Sequence, residues 1–222
     1  MPNRQGPSLR GLYAITDDRL LPDERRESAV TAALTGGARL LQYRSKSPDP
    51  ALRLAQALRL KKLCDRFAVP LIINDDPGLC EASGADGVHL GQGDTAVAVA
   101  RQQLGPQAII GTSCHESLDL ALAAQEAGAS YVAFGRFFAS RTKPEAPPAG
   151  LWVLEQARQR LSIPVVAIGG INPQNGASVI TAGAHMVAVI DYLFAADDVE
   201  SRARQLSNLF RQQSDQQHQQ QQ

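Results

Sequence analysis

The chain has 222 residues, enough for one domain that buries about 70–75% of its unfolded surface with no need of disulfides or a structural metal. Its 22 basic and 22 acidic side chains cancel. That balance argues against the broad basic footprint of nonspecific nucleic-acid binding and confines any anion site to a local cluster. Cys64, Cys80 and Cys114 are odd in number and form no C-x-x-C pair, so they read as reduced thiols of a cytoplasmic protein. No apolar run approaches 18 residues and MPNRQGPSLR has no apolar centre, so neither a membrane span nor a signal peptide is expected.

Residues 1–10 read as an N-terminal extension. Eight short runs rich in Val, Ile and Leu follow: Gly11–Thr16, Leu40–Arg44, Leu71–Asp75, Gly87–Gly91, Ala108–Ser113, Tyr131–Arg136, Val165–Gly170 and Met186–Asp191. Most are nearly continuous in apolar character, the pattern of strands covered on both faces. Helical spacing lies between them, clearest over Ala51–Phe67 and Ser117–Ala127. Gly-Ala before a strand recurs as GGARLL, SGADGV, AGASYV and AGAHMV, ahead of strands two, four, six and eight, each Gly placed where a helix must stop. Two βα pairs taken four times predict a single-domain α/β fold, a (β/α)8 TIM barrel over residues 11–211. A doubly wound open sheet is the alternative, but no G-x-G-x-x-G follows the first strand. Residues 212–222, mostly Gln, read as a low-complexity, disordered tail.

The C-terminal strand ends form the active face of such barrels. There the second strand places Gln42, Arg44 and Lys46, the third Asn74 and Asp75, the fourth Asp94, and the fifth Ser113 and His115. The segment after strand six carries Ser140, Arg141, Thr142 and Lys143, strand seven ends in Gly169-Gly170, and strand eight in Ile190-Asp191. Strands three and four are neighbours, so Asp75 and Asp94 can meet at one rim. Two carboxylates there repel unless a cation lies between them, and oxygen ligands without Cys or His suit a hard ion such as Mg²⁺. Arg44, Lys46 and Lys143 can face the same mouth, which together suggests a Mg²⁺–diphosphate site. The alternative is that the two aspartates only cap the helices that follow. Gly169-Gly170 and the strand-eight end suggest a second, phosphate-sized site, or simply a tight turn. His89, set among apolar neighbours, reads as a satisfied core histidine, whereas His115 at a strand end is open to a role.

The stretches GLYAIT, QYRSK, LIINDD, GADGVHLGQGD, IIGTSCH, YVAFGRFFASRTKPEAPP and PVVAIGGINPQN closely resemble the thiamine phosphate synthase family, from about Gly11 to Asp198. The resemblance implies a TIM barrel that condenses 4-amino-2-methyl-5-hydroxymethylpyrimidine diphosphate with thiazole phosphate, giving thiamine phosphate and diphosphate by a dissociative, Mg²⁺-assisted substitution. It implies that Gln42, Tyr43, Arg44, Ser45, Lys46, Asn74, Ser113 and Lys143 bind the pyrimidine diphosphate. Of these, Arg44, Lys46, Lys143 and Ser113 would carry the chemistry. Asp75 and Asp94 would hold one Mg²⁺ per subunit, and Ser140, Arg141, Thr142, Gly170, Ile190 and Asp191 would hold the thiazole phosphate. The chain departs from the family pattern at Arg141, where many members have Pro or Glu, and at Asp191, where many have Ser. The partners implied are small molecules, with no nucleic acid and no membrane; subunit number is left open. A thiazole tautomerase-like isomerase shares the barrel but lacks much of the diphosphate set, and a non-catalytic phosphate-binding barrel is the remaining alternative.

Overall fold

In the computed structural model, which describes residues 9–139 and 148–219, the apolar runs become eight parallel strands: β1 Gly11–Ile15, β2 Ala38–Tyr43, β3 Leu71–Asn74, β4 Gly87–Leu90, β5 Ile109–His115, β6 Tyr131–Phe134, β7 Val165–Ile168 and β8 Met186–Val189. Each pairs with the next, and β8 returns to β1, with Gly11 opposite Met186 and Ala14 opposite Val189. The sheet is therefore a closed barrel, not an open doubly wound sheet. Helices α1 Asp23–Thr35, α2 Pro50–Arg66, α3 Pro77–Ser83, α4 Val97–Leu104, α5 Leu118–Glu126, α6 Trp152–Arg160, α7 Gly176–Ala182, α8 Asp191–Phe194 and α9 Val199–Gln219 surround it.

The quarter repeat has a physical basis. Gly37, Gly84, Gly128 and Gly183 follow α1, α3, α5 and α7 with φ of 103°, 66°, 90° and 127°. Only glycine takes that side of φ space without a steric penalty, so each ends its helix and turns the chain into β2, β4, β6 or β8.

Side chains divide by strand alternation. Tyr13, Leu40, Ile72, Ile109, Tyr131, Val166 and Met186 fill the barrel interior. Their neighbours in sequence, among them Leu12, Leu41, Ile73, Val132 and Val187, pack outward under the helices. Each such Leu or Ile, withdrawn fully from water, contributes about 1.5–3 kcal/mol.

The C-terminal segment differs from the sequence expectation. The Gln-rich stretch expected to be disordered from Gln212 continues α9 through Gln219. Gln is a good helix former, and a helix already nucleated from Val199 extends at little cost. The last buried side chain described on α9 is Phe210. No helix among the described residues is long and apolar enough to cross a membrane. The three cysteines are free and buried, and burial pushes each thiol up to about 12.

Candidate active site at the barrel mouth

The C-terminal strand ends enclose a cavity of about 620 Å³. Gln42, Arg44, Lys46, Asn74, Asp75, Asp94, Ser113, Gly170, Ile190 and Asp191 all line it, as do His89 and His115. Two residues of the QYRSK run do not. Tyr43 points outward into the helix layer, fully buried, and its hydroxyl donates to Gln56 of α2 at 2.6 Å. Ser45 donates to Asp18 at 2.8 Å. Strand alternation sends Gln42 and Arg44 to the mouth and Tyr43 away from it. Ser140, Arg141, Thr142 and Lys143 lie outside the described residues.

Neither Asp75 nor Asp94 caps a helix. The cap of α3 is Asp76, which accepts from the Leu79 amide at 2.9 Å, and α4 starts after Ala96. Asp75 instead takes a left-handed backbone, φ 65°, while its amide donates to the His89 carbonyl at 2.8 Å. A non-glycine residue there costs about 1–2 kcal/mol, strain that is stored most often at functional sites. Asp94 accepts from the Gly91 amide at 2.7 Å and so closes its own loop. Burial, then the Asp94 carboxylate beside it, raises the Asp75 carboxyl above its ordinary value; Lys46 and Asn74 pull it the other way. Lys46 Nζ lies 3.7 Å from Asp75. Among the described residues no group of three or more His, Cys, Asp and Glu forms a cage. A pair of oxygen ligands that oppose each other and are left uncommitted to helix caps fits Mg²⁺, which keeps waters and takes remaining ligands from a substrate phosphate.

The β1 end organises the cationic side of the mouth, which sequence reasoning missed by starting from the second strand. Asp17 is buried and pairs with Arg44 at 3.0 Å and with Arg19 at 2.9 Å. Burial works to raise the Asp17 carboxyl, but hydrogen bonds from Arg19 and the charges of Arg19 and Arg44 hold it below its usual value. Asp18 accepts from the Lys46 amide at 2.7 Å, and Thr16 Oγ1 accepts from the Arg44 amide at 2.9 Å. The signal was present: Thr16-Asp17-Asp18 stops an apolar strand just as Asn74-Asp75-Asp76 does.

Behind the cations, polar groups thread the barrel interior. The Gln42 amide donates to Tyr13 Oη at 2.7 Å, and the two hydroxyls of Tyr13 and Tyr131 lie 2.8 Å apart. His89 Nδ1 is 3.0 Å from Tyr131 Oη, and His89 Nε2 is 2.9 Å from Ser113 Oγ. His89 is satisfied, as the sequence suggests, but it faces the mouth and not a dry core. Both tyrosine hydroxyls are pushed up in pKa, chiefly by burial, and stay protonated. A tyrosine at an inward strand position requires a polar partner, which is the sequence signal for this cluster.

On the opposite rim, Gly170 has φ 65°, and a Cβ there would lie 2.3 Å from the Ala139 carbonyl. Only glycine therefore fits against the segment that follows β6 there, at a point that lines the mouth together with Asp191 at the start of α8. Asp191 contributes to raising the Arg19 pKa, after the hydrogen bond and charge of Asp17.

A family model described as thiamine monophosphate synthase matches residues 12–193. The thiamine-phosphate synthase of Alcanivorax borkumensis is 54% identical over 205 residues, spanning 91% of this chain and 94% of that protein. That of Nitrosococcus oceani is 52% identical over 196 residues, spanning 88% and 90%. The solved structure of thiamine phosphate pyrophosphorylase from Pyrococcus furiosus has a TM-score of 0.84 at 33% identity, over 93% of this chain and 98% of that one.

Proposed function

The chain belongs to the thiamine monophosphate synthase family, and from that premise we propose that its barrel mouth joins 4-amino-2-methyl-5-hydroxymethylpyrimidine diphosphate to thiazole phosphate. One observation carries the assignment of roles: an uncapping carboxylate pair, Asp75 and Asp94, shares a cavity with Arg44 and Lys46.

In this reading Asp75 and Asp94 hold one Mg²⁺, which when bound supplies positive charge for the diphosphate. Arg44 and Lys46 face the same group, joined by Lys143, and offset the charge that grows as it leaves. The bond between the pyrimidine methylene carbon and the diphosphate oxygen breaks, and its electron pair departs with the diphosphate. The 4-amino group spreads the resulting positive charge into the ring, and the thiazole nitrogen supplies the pair for the new C–N bond. No protein nucleophile enters this scheme. Gln42, Asn74 and Ser113 orient the pyrimidine. The Gly170 backbone and the Ile190-Asp191 amides, with Ser140 to Thr142, take the thiazole phosphate. A cytoplasmic location suits buried thiols and small-molecule substrates.

Incubation with both substrates and Mg²⁺, followed by detection of thiamine phosphate and one equivalent of diphosphate, tests this directly. Binding of both substrates without product would leave a non-catalytic barrel instead.

A further inference from the structure

The polar thread through the barrel has an internal logic of donors and acceptors. Each tyrosine hydroxyl has one proton, and a neutral imidazole has one N–H and one acceptor nitrogen. With the Gln42 amide N–H donating to Tyr13 Oη, the Tyr13 proton must go to Tyr131, because a buried hydroxyl without a partner is costly. The Tyr131 proton then goes to His89 Nδ1, His89 carries its own proton on Nε2, and that N–H donates to Ser113 Oγ. The Ser113 proton is left for the mouth, and so is the carbonyl oxygen of Gln42. Rotating the Gln42 amide by half a turn reverses every bond in the thread. The mouth would then receive an amide N–H₂ from Gln42 and only a lone pair from Ser113. The two ends are coupled: one offers an acceptor and the other a donor, or both exchange.

We infer that the buried series Tyr13–Tyr131–His89 acts as a set of positioning residues that fixes this polarity and so selects a 4-aminopyrimidine over its 4-oxo counterpart. The inference rests on Gln42 and Ser113 being pyrimidine ligands. An aminopyrimidine edge carries a donor at the amino group and an acceptor at the adjacent ring nitrogen. A pyrimidin-4-one carries the reverse, a carbonyl acceptor and a ring N–H. The diphosphate arm fixes which edge faces which ligand, so the wrong base cannot simply turn over. The surroundings favour a rigid thread. Tyr13 and Tyr131 are 1% and 0% exposed, their rings meet edge to face at 5.9 Å, and His89 stacks on Tyr131 at 5.6 Å. Gly111 of β5 makes the room: a Cβ there would fall 1.9 Å from Tyr131 Cζ.

The test compares inhibition by two non-reacting ligands, the 4-amino and 4-oxo forms of 2-methyl-5-(phosphooxymethyl)pyrimidine. Tyr131→Phe keeps the ring and cuts the thread in the middle, freeing its halves to turn separately. The preference of the wild type for the amino form should fall by about tenfold in this variant, the effect of roughly one hydrogen bond. The KM for thiazole phosphate should not move, which a merely structural defect would not spare. Independently of whether Tyr131→Phe folds, ¹⁵N NMR of the wild type should show His89 as the Nε2–H tautomer, its signals assigned with His89→Asn. An unchanged amino/oxo preference in folded Tyr131→Phe, or the Nδ1–H tautomer in the wild type, overturns the inference. Gln42→Ala separates the two levels. If it leaves inhibition by the amino form unaltered, Gln42 is no pyrimidine ligand; if it weakens inhibition while Tyr131→Phe keeps the preference, the ligand stands and the thread does not set its polarity.

Discussion

Replacing Asp75 or Asp94 by Ala removes half of the anionic charge that the described residues offer a metal at this mouth, since no third His, Cys, Asp or Glu joins the pair. Arg44 cannot take over the lost charge neutralisation, because Asp17 already holds its guanidinium at 3.0 Å. Lys46 sits 3.7 Å from Asp75 on a side chain that is 67% exposed, so solvent screens its contribution. The diphosphate would thus depart with side-chain cations alone, and no metal, to offset its charge. Each single variant should lose roughly two to four powers of ten in kcat/KM, about 3–5 kcal/mol of transition-state stabilisation. The double variant should lose little more, because either change already breaks the same ion site. Thiazole-phosphate affinity measured alone should stay constant, and the metal-free melting temperature should hold or rise as carboxylate repulsion is relieved. Steady-state kinetics across a Mg²⁺ titration reads the rate losses, an equilibrium titration with thiazole phosphate reads its affinity, and a thermal scan gives the melting temperature. Near-full Mg²⁺-dependent activity in either single variant, or its unfolding, would refute the shared ion site.

Asp191→Ser should leave the KM for thiazole phosphate similar or lower it, since a carboxylate beside a phosphate is unfavourable; a large rise would reveal a positive role, with Arg19, whose pKa the charge of Asp191 helps raise, a cation to test next. Truncation after Arg211 should leave activity and melting temperature nearly unchanged, because the last buried side chain described on α9 is Phe210; a loss of several degrees would mean that the Gln stretch docks on the barrel. His185 accepts from the Val165 amide at 3.1 Å, and burial, with Arg10 and Arg158 nearby, lowers its pKa below 6.5. The unfolded chain therefore binds the extra proton first as pH falls below 6.5, so stability declines from there down through the folded value. His185→Gln should flatten the fall in urea midpoint between pH 7 and 5, and an unaltered slope would rule His185 out as its source.

The barrel was legible because its strands, covered on both faces, read as apolar runs with polar stops, and because four glycines repeat at helix ends. The carboxylate pair was legible because Asp75 and Asp94 follow the ends of the neighbouring strands β3 and β4. Tyr43 was misplaced because a short polar-apolar run such as QYRSK does not say which alternate face is the mouth; the barrel register does, pairing Gln42 with Ile15 and Ile72. Asp17 was missed because its importance lies in a contact with Arg44, 27 positions away. The tail was misread because a Gln tract has the composition of a disordered segment and the propensity of a helix.

Barrel closure through β1 and β8 also sets a timetable for synthesis. Leu12 pairs with Val187, roughly 175 positions later in the chain. At a translation speed of about 5–20 residues per second, β1 leaves the ribosome roughly 10–35 s before its second neighbour is made. For that interval the nascent sheet carries an unpaired apolar edge of the kind that seeds aggregation. Gly11 through Ile15 are fully or almost fully withdrawn from water in the finished protein, so this edge is where a chaperone has most to shield. Destabilising changes near β8 should accordingly reduce soluble yield more than they reduce the melting temperature of the protein that does fold.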